Sequence, residues 1–283
     1  MSFVHRSHVS SSGQILYRIR RSVLQVREYA THPALDGPTL SETNRAEASL
    51  TRFWKEVGIE RTKNGFSITL DKRPLKTPSG NLLIVPTEKK LLATLIANEW
   101  ENQRKVLKPH ALPITSLTSR AIDGLTDEGV RDDVHSELLK YFDTDTICFH
   151  NDEPPVLAQL QENSWSPVLS WTREEFDVEV LVFRSLLNSG QPAATKEALK
   201  NVLESFDEWQ IAGMERATYV TKSFIIALAL VKGRLSVEDA AQAAHVEVNS
   251  QIKRWGEVED THDVDFHDVR RQLGSVACLL SES

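Results

Sequence analysis

The stretch "GFSITLDKRPLKTPSGNLLIVPTE" (Gly65–Glu88) decides the fold of the first half of this chain. Its opening residues alternate apolar and hydroxyl side chains from Phe66 to Leu70, which predicts a half-buried β-strand. "PSGN" predicts a turn in which Gly80 is free to adopt a positive φ. "LLIV" predicts a second strand that Pro86 ends, and the preceding "FWKEVGIER" can supply a third. We therefore expect a small twisted sheet, because no βαβ repeat of a parallel sheet follows.

Helical periodicity dominates the sequence on the C-terminal side of this sheet. We expect Thr87 to cap a helix that ends near Lys105, and the pattern is helical from Pro113 almost to the C-terminus. Gly233 suits the position after a helix C-terminus, and Ser236 begins the next helix with a capping-box pattern. The predicted fold class is α+β, with a small β-rich N-terminal domain followed by an all-helical C-terminal domain.

The N-terminal segment differs in composition from the rest of the chain. Residues Met1 to Arg27 contain five arginines and six serines but no Asp or Glu, and "ILYRIRRSVLQV" can form a helix with a basic and an apolar face. This composition is typical of an organellar transit peptide, and the alternative is a basic tail that binds an acidic partner. We predict a transit peptide over residues 1–29, cleaved after Tyr29, and a linker over residues 30–49. Residues 50–115 would form the β-rich domain with one helix, and residues 116–283 the helical domain.

Charge and cysteine content exclude several functional classes. The net charge is −7, and it becomes −11 when residues 1–29 are removed, which argues against nucleic-acid binding. Cys148 and Cys278 form no CxxC pair, so neither a disulfide scaffold nor a thiolate zinc site is expected. The longest apolar run, Phe224 to Val231, is too short to span a bilayer and predicts a buried helix rather than membrane insertion.

The stretch "RWGEVEDTHDVDFHD" (Arg254–Asp268) is the strongest candidate for a catalytic metal site. On a helix, Glu259, Asp263 and His267 would lie at i, i+4 and i+8 along one face, and two carboxylates with one imidazole are side chains that can hold a divalent metal for a hydrolase. These positions spread over about 12 Å of helix axis, whereas ligands must lie within about 2.5 Å of one ion. The apolar spacing instead predicts a long amphipathic helix whose packed seam contains Trp255, Val258, His262, Val269, Leu273, Val276 and Leu280.

Motifs for nucleotide binding and catalysis are missing from the sequence. There is no GxxxxGK[ST] loop, no GxGxxG after a strand, no GxSxG elbow and no HExxH. We therefore expect no bound nucleotide or other cofactor and no enzymatic activity. The metal-dependent hydrolase using the Glu259, Asp263 and His267 face remains the alternative.

Six segments of the chain occur in an order that resembles a known family: "RFWKEVGIE", "LDKRPLKTPSGNLLIVPT", "NEWENQ", "PITSLTSRAID", "TKSFIIALAL" and "QIKRWGEVEDTHD". Over about residues 50–280 the chain resembles the mitochondrial ATP synthase assembly chaperones that act on the alpha subunit of the catalytic head. The resemblance implies a matrix protein with the two-part fold predicted above. It also implies that the chain binds the unassembled alpha subunit until that subunit pairs with beta, without hydrolysing ATP.

The resemblance also implies which residues contact the partner. In this family an important glutamate precedes a Gln-x-x-x-Trp-Gly segment by four residues, which gives Glu247 together with Gln251 and Trp255. The tryptophan of the family's Glu-Trp pair is Trp100. The alternatives are that Glu247 is a solvated residue paired with Lys253 or Arg254, and that Trp100 packs the β-rich domain against the helical domain.

Overall fold

An antiparallel sheet of four strands forms the N-terminal part of the computed structural model, which describes residues 51–185 and 190–282. The central strand pairs with each of the other three. The strands are β1 (Val57–Thr62), β2 (Gly65–Leu70), β3 (Arg73–Pro74) and β4 (Ile84–Val85). The predictions of a transit peptide over residues 1–29 and a linker over residues 30–49 lie outside the described residues.

Two glycines of this sheet region adopt backbone conformations that other residues rarely adopt. Gly65 has φ 140°, and a Cβ added there would lie 2.1 Å from the carbonyl oxygen of Val85 on the neighbouring strand. Gly80 has φ 88°, as the turn prediction required. The prediction of a small sheet from residues 57 to 85 is therefore confirmed, and so is the α+β fold class.

Eleven α-helices follow within the described residues, and they are numbered in chain order. They are α1 (Lys90–Glu101), α2 (Pro113–Asp123), α3 (Glu128–Asp143), α4 (Pro155–Ser164), α5 (Ser166–Phe176), α6 (Ala193–Glu204), α7 (Glu208–Thr221), α8 (Phe224–Val231), α9 (Val237–Ala244), α10 (Val246–Trp255) and α11 (Thr261–Leu280). None of the helices in these described ranges is both long and apolar enough to cross a membrane.

Several local predictions are confirmed by these helices. The apolar run forms α8, in which every residue from Phe224 to Leu230 is buried. Gly233 follows α8 with φ 69°, and Ser236 begins α9 with a complete capping box.

The predicted cap at Thr87 is wrong. Helix α1 begins after Lys89 without a side-chain cap, and it ends at Glu101 rather than near residue 105.

The sheet and the helices share one continuous apolar cluster. Ile68 and Val85 from the sheet belong to the same cluster as Phe224 and Leu273 from the helices. A hydrogen bond also connects the two parts. Lys89 is buried, and its Nζ donates to the carbonyl oxygen of Leu279 at 3.1 Å near the end of α11. The division proposed after residue 115 falls inside α2, so residues 51–112 are called the sheet unit below, and residues 113–282 the helical part.

Candidate functional site

Helix α10 presents the predicted partner-binding residues on one exposed side. Glu247, Gln251 and Trp255 are spaced at i, i+4 and i+8, which aligns them along the helix. All three side chains are exposed, whereas Val246 and Ser250 on the inner side are buried. We call the exposed row Glu247, Gln251 and Trp255 the α10 face. The structure thus brings together three of the four predicted site residues.

A groove of about 280 Å³ runs along the α10 face. Helix α4 packs against α10, and the walls of the groove come from both helices and the residue before α4. Its lining consists of Pro154, Leu157, Glu247, Ser250, Gln251, Arg254 and Trp255. Three apolar residues line the groove beside the carboxylate of Glu247 and the amide of Gln251, a mixture that suits a protein segment carrying both apolar and basic side chains.

Glu247 is available for an external partner. The structure gives its carboxylate no hydrogen bond or ion pair to any residue in the described ranges, so the predicted alternative of pairing with Lys253 or Arg254 is not found there. Arg254 instead places its guanidinium carbon 4.9 Å from the centre of the Trp255 ring. Glu247 lies in the first turn of α10, where the helix dipole favours a negative charge.

Trp255 begins a series of exposed apolar side chains. It is 70% exposed, and it is followed by Val258 at 58%, Val264 at 69% and Phe266 at 45%. Large apolar residues grouped on the surface are typical of protein-binding sites. Acidic residues separate these apolar side chains along the chain, so apolar and negatively charged groups alternate on this surface.

The long amphipathic helix predicted through this region is wrong. The chain breaks between α10 and α11, with positive φ values at Gly256 (90°) and Asp260 (65°). Trp255 and Val258 are therefore exposed rather than packed. His262 is only half-buried, and its Nδ1 accepts a hydrogen bond from the Val258 N–H at 2.9 Å. The packed seam starts later, with buried side chains at Val269, Leu273 and Val276.

The same break separates the residues of the metal-site alternative. Glu259 lies in the loop before α11, so it does not share a helix with Asp263 and His267, and all three side chains are exposed. In residues 51–185 and 190–282 no group of three or more His, Cys, Asp or Glu is placed to hold a metal ion.

The Glu99–Trp100 pair joins α1 to the start of α2. The carboxylate of Glu99 accepts hydrogen bonds from the Ile114 N–H at 2.8 Å, and from both the N–H (2.9 Å) and the hydroxyl (2.6 Å) of Thr115. Trp100 donates from Nε1 to the same hydroxyl at 3.2 Å, and its ring lies 5.1 Å from that of Trp54. Burial raises the pKa of Glu99 despite these hydrogen bonds. Trp100 therefore makes packing contacts at the junction, and it lines a different groove from the α10 face, so its contact with a partner stays a prediction.

Sequence reasoning missed Glu99 as the residue that anchors this junction. A signal was present, because Pro113 begins α2 without a side-chain cap and leaves the N–H groups of its first turn to be satisfied from elsewhere. Glu99, which directly precedes Trp100 in the sequence, was the nearest candidate acceptor.

The "TPSGN" turn is held in place by a second carboxylate. Asp123, the last residue of α2, accepts from the Thr77 hydroxyl at 2.5 Å, the Asn81 side-chain amide at 3.0 Å and the Ser79 N–H at 3.1 Å. Burial raises the pKa of Asp123, but these hydrogen bonds outweigh it, and the net pKa is lowered. The distinctive motifs of the first half therefore support the fold and do not form a reactive site.

Comparisons with known proteins identify the class as a chaperone. Residues 51–173 match the family model described as ATP12 chaperone protein. Protein atp12, mitochondrial, from Schizosaccharomyces pombe is 36% identical over 245 residues, covering 82% of this chain and 83% of that protein. Protein ATP12, mitochondrial, from Saccharomyces cerevisiae is 30% identical over 295 residues, covering 90% and 91%. The chain belongs to the ATP12 chaperone family.

Solved structures agree with this assignment. The crystal structure of Atp12 from Paracoccus denitrificans has a TM-score of 0.72 at 26% identity, covering 82% of this chain and 99% of that one. The Atu1473 protein of Agrobacterium tumefaciens also has a TM-score of 0.72, at 28% identity, covering 81% and 85%. Family membership supports a mitochondrial chaperone of ATP synthase assembly and not an enzyme.

Proposed function

We propose that this protein binds the unassembled alpha subunit of the ATP synthase catalytic head in the mitochondrial matrix and holds it until it pairs with beta. The observation that carries the proposal is the α10 face, where a 70% exposed tryptophan lies beside a groove and an unpaired glutamate. The mitochondrial relatives support a mitochondrial location, and the acidic charge of the chain supports a protein partner rather than a nucleic acid.

The chemistry of the α10 face suits the exposed interface of an unassembled subunit. A subunit without its partner exposes apolar surface, which drives aggregation. Trp255 supplies a large apolar contact with one end polar, and Gln251 can both donate and accept hydrogen bonds. Glu247 can pair with a basic side chain of the client, which selects among clients more than it adds affinity.

Release of the client needs no nucleotide in this account. A chaperone that binds only the unassembled subunit is displaced by mass action once a tighter native partner covers the same surface. The alpha subunit would therefore leave when beta arrives, and the chaperone would not remain in the finished enzyme.

The proposal is tested with the mature protein and isolated subunits. We expect it to suppress aggregation of the alpha subunit at a near-equimolar ratio without ATP, and to retain alpha rather than beta in a pulldown. Retention of beta in place of alpha would refute the client assignment. Co-purification with the finished ATP synthase in stoichiometric amount would refute transient binding and indicate a permanent subunit instead.

A further inference from the structure

A concentration of positive charge lies in the loop after α1. The sheet unit contains twelve Lys and Arg against six Asp and Glu, whereas the rest of the chain from residue 113 contains fifteen against thirty. Arg104, Lys105 and Lys108 occur within five residues of each other in this loop, and all three are exposed. Among the described residues none of the three forms an ion pair with an acidic side chain.

The loop encloses a groove of about 570 Å³, and its shape is fixed by a buried side chain. We call residues Asn102–Ala111 the basic loop. Gln103 is 4% exposed, and its carboxamide accepts from the Lys108 N–H at 2.9 Å and donates to the Glu99 carbonyl at 3.2 Å. The groove is lined by Asn102, Gln103, Arg104, Lys105, Val106, Lys108 and Ala111. The loop thus holds its cations around a defined depression.

Exposed apolar side chains accompany these cations. Val106 is 43% exposed within the groove lining, and Phe53 is 71% exposed. The backbone segments that carry them are adjacent, because Thr51 pairs with Val106 in an isolated bridge and the Arg52 N–H donates to the Lys105 carbonyl at 3.1 Å. The combination of cations and apolar side chains suits a partner that is acidic and partly apolar.

The basic loop is continuous with the region that follows the α10 face. Arg271 of α11 donates to the carbonyl oxygen of His110 and pairs with Asp268, one turn earlier on the same helix. The acidic first turns of α11 therefore end beside the basic loop. Helix α11 thus links the region that follows Trp255 to this loop.

We propose that the basic loop is a second docking point for the same client and takes an acidic segment that carries an apolar side chain. The inference rests on the proposed function, since it assigns the loop to the chaperone's client. Carboxylates of the segment pair with Arg104, Lys105 and Lys108, while its apolar side chain contacts Val106. A concave groove fits a peptide segment better than the flat surface of an anionic membrane, which is the competing occupant.

A charge-neutralising variant tests the loop against a matched control. In the variant Arg104→Gln/Lys105→Gln/Lys108→Gln, we expect affinity for the isolated alpha subunit to fall roughly tenfold, as for three partly screened ion pairs. The dependence of affinity on salt should also become shallower. The control Arg61→Gln/Lys63→Gln/Lys72→Gln removes the same charges from exposed sites of the sheet and should bind like wild type. Equal affinities for the two variants would overturn the proposal.

Crosslinking and vesicle binding identify what occupies the groove. A photo-crosslinking residue at Val106 should attach to an acidic peptide of the alpha subunit, and attachment only to basic or uncharged peptides would overturn the proposal. Loss of flotation with anionic phospholipid vesicles, without loss of alpha binding, would assign the loop to the membrane. If the wild type retains beta instead of alpha, the client assignment fails, and the same pair of variants measured on beta decides the role of the loop.

Discussion

Different interactions dominate in the sheet unit and in the helical part of this protein. The sheet unit shares the apolar core of the helices, and carboxylates add oriented contacts at its border, with Glu99 accepting from the start of α2 and the turn at residues 77–81 donating to Asp123. The helical part packs around α8, whose residues from Phe224 to Leu230 are all buried. Oriented hydrogen bonds fix how one element meets the next, whereas apolar burial supplies most of the stability.

The two regions also differ in charge, and this difference bears on function. The basic loop belongs to a unit with a net charge of +6, and the α10 face belongs to a part with a net charge of −15. Each surface places charged residues beside exposed apolar side chains. A client with both acidic and basic segments can therefore be held in one orientation, since reversing it would bring like charges together.

The largest expected effect is a cavity in the helical part. Phe224→Ala removes a fully buried ring that lies 5.6 Å from the ring of Phe142, and we expect the free energy of unfolding to fall by about 3–5 kcal/mol. Urea unfolding followed by circular dichroism measures the change. A loss below about 1 kcal/mol would show that α8 is not the centre of the stabilising core.

The next effect depends on pH and also lies in the helical part. Asp145 is fully buried beside the start of α8, and burial raises its pKa to about 6 against hydrogen bonds from Ser223, Ile225 and Ile147. Between pH 3.8 and 6 the folded protein keeps a proton that the unfolded chain has lost. The stabilising contribution of Asp145 is therefore complete below pH 3.8 and is lost as pH rises through 6, by about 3 kcal/mol.

The variant Asp145→Asn isolates this contribution. The free energy of unfolding of wild type minus that of the variant should decrease between pH 4 and pH 6 and then stay constant, in urea titrations at each pH. A difference that is flat over this range would mean that Asp145 stays ionised in the folded state.

A smaller loss of stability is expected in the sheet unit. Glu99→Ala leaves three donors at the start of α2 without their acceptor, and we expect a loss of about 2 kcal/mol, mostly from unsatisfied polar groups. Glu101→Ala on the same helix is the control, since its exposed ion pair with Arg52 contributes less than about 1 kcal/mol. Equal losses in thermal or urea unfolding would contradict the special role of the Glu99 carboxylate.

The smallest effect on stability is expected at the α10 face. Trp255→Ser replaces a 70% exposed ring, so we expect the free energy of unfolding to change by less than about 0.5 kcal/mol. Affinity for the alpha subunit should nevertheless fall at least tenfold, as for an aromatic residue central to an interface. A large loss of stability would show that Trp255 supports the fold rather than the contact.

Local patterns made much of this architecture predictable, and long-range contacts did not. Alternation marked β2, the apolar run marked α8, and Ser236 with its partner three residues later marked the start of α9. The hydrogen bonds of the Glu99 and Asp123 carboxylates join residues 15 to 46 positions apart, and the periodicity of a sequence gives no information on such contacts. Helical spacing also placed Trp255 in a packed seam, because the periodicity of the sequence does not show the break that positive φ values at residues 256 and 260 impose.

The central claim is that the α10 face binds the client, and charge reversal at Glu247 tests it most directly. The control is Glu197→Lys on α6, an exposed glutamate that forms no ion pair within the described ranges. Both variants change the net charge equally. We predict that Glu247→Lys keeps the wild-type circular dichroism and melting temperature but binds the isolated alpha subunit at least tenfold more weakly, while the control binds like wild type. Equal affinities of the two variants for alpha would contradict the account.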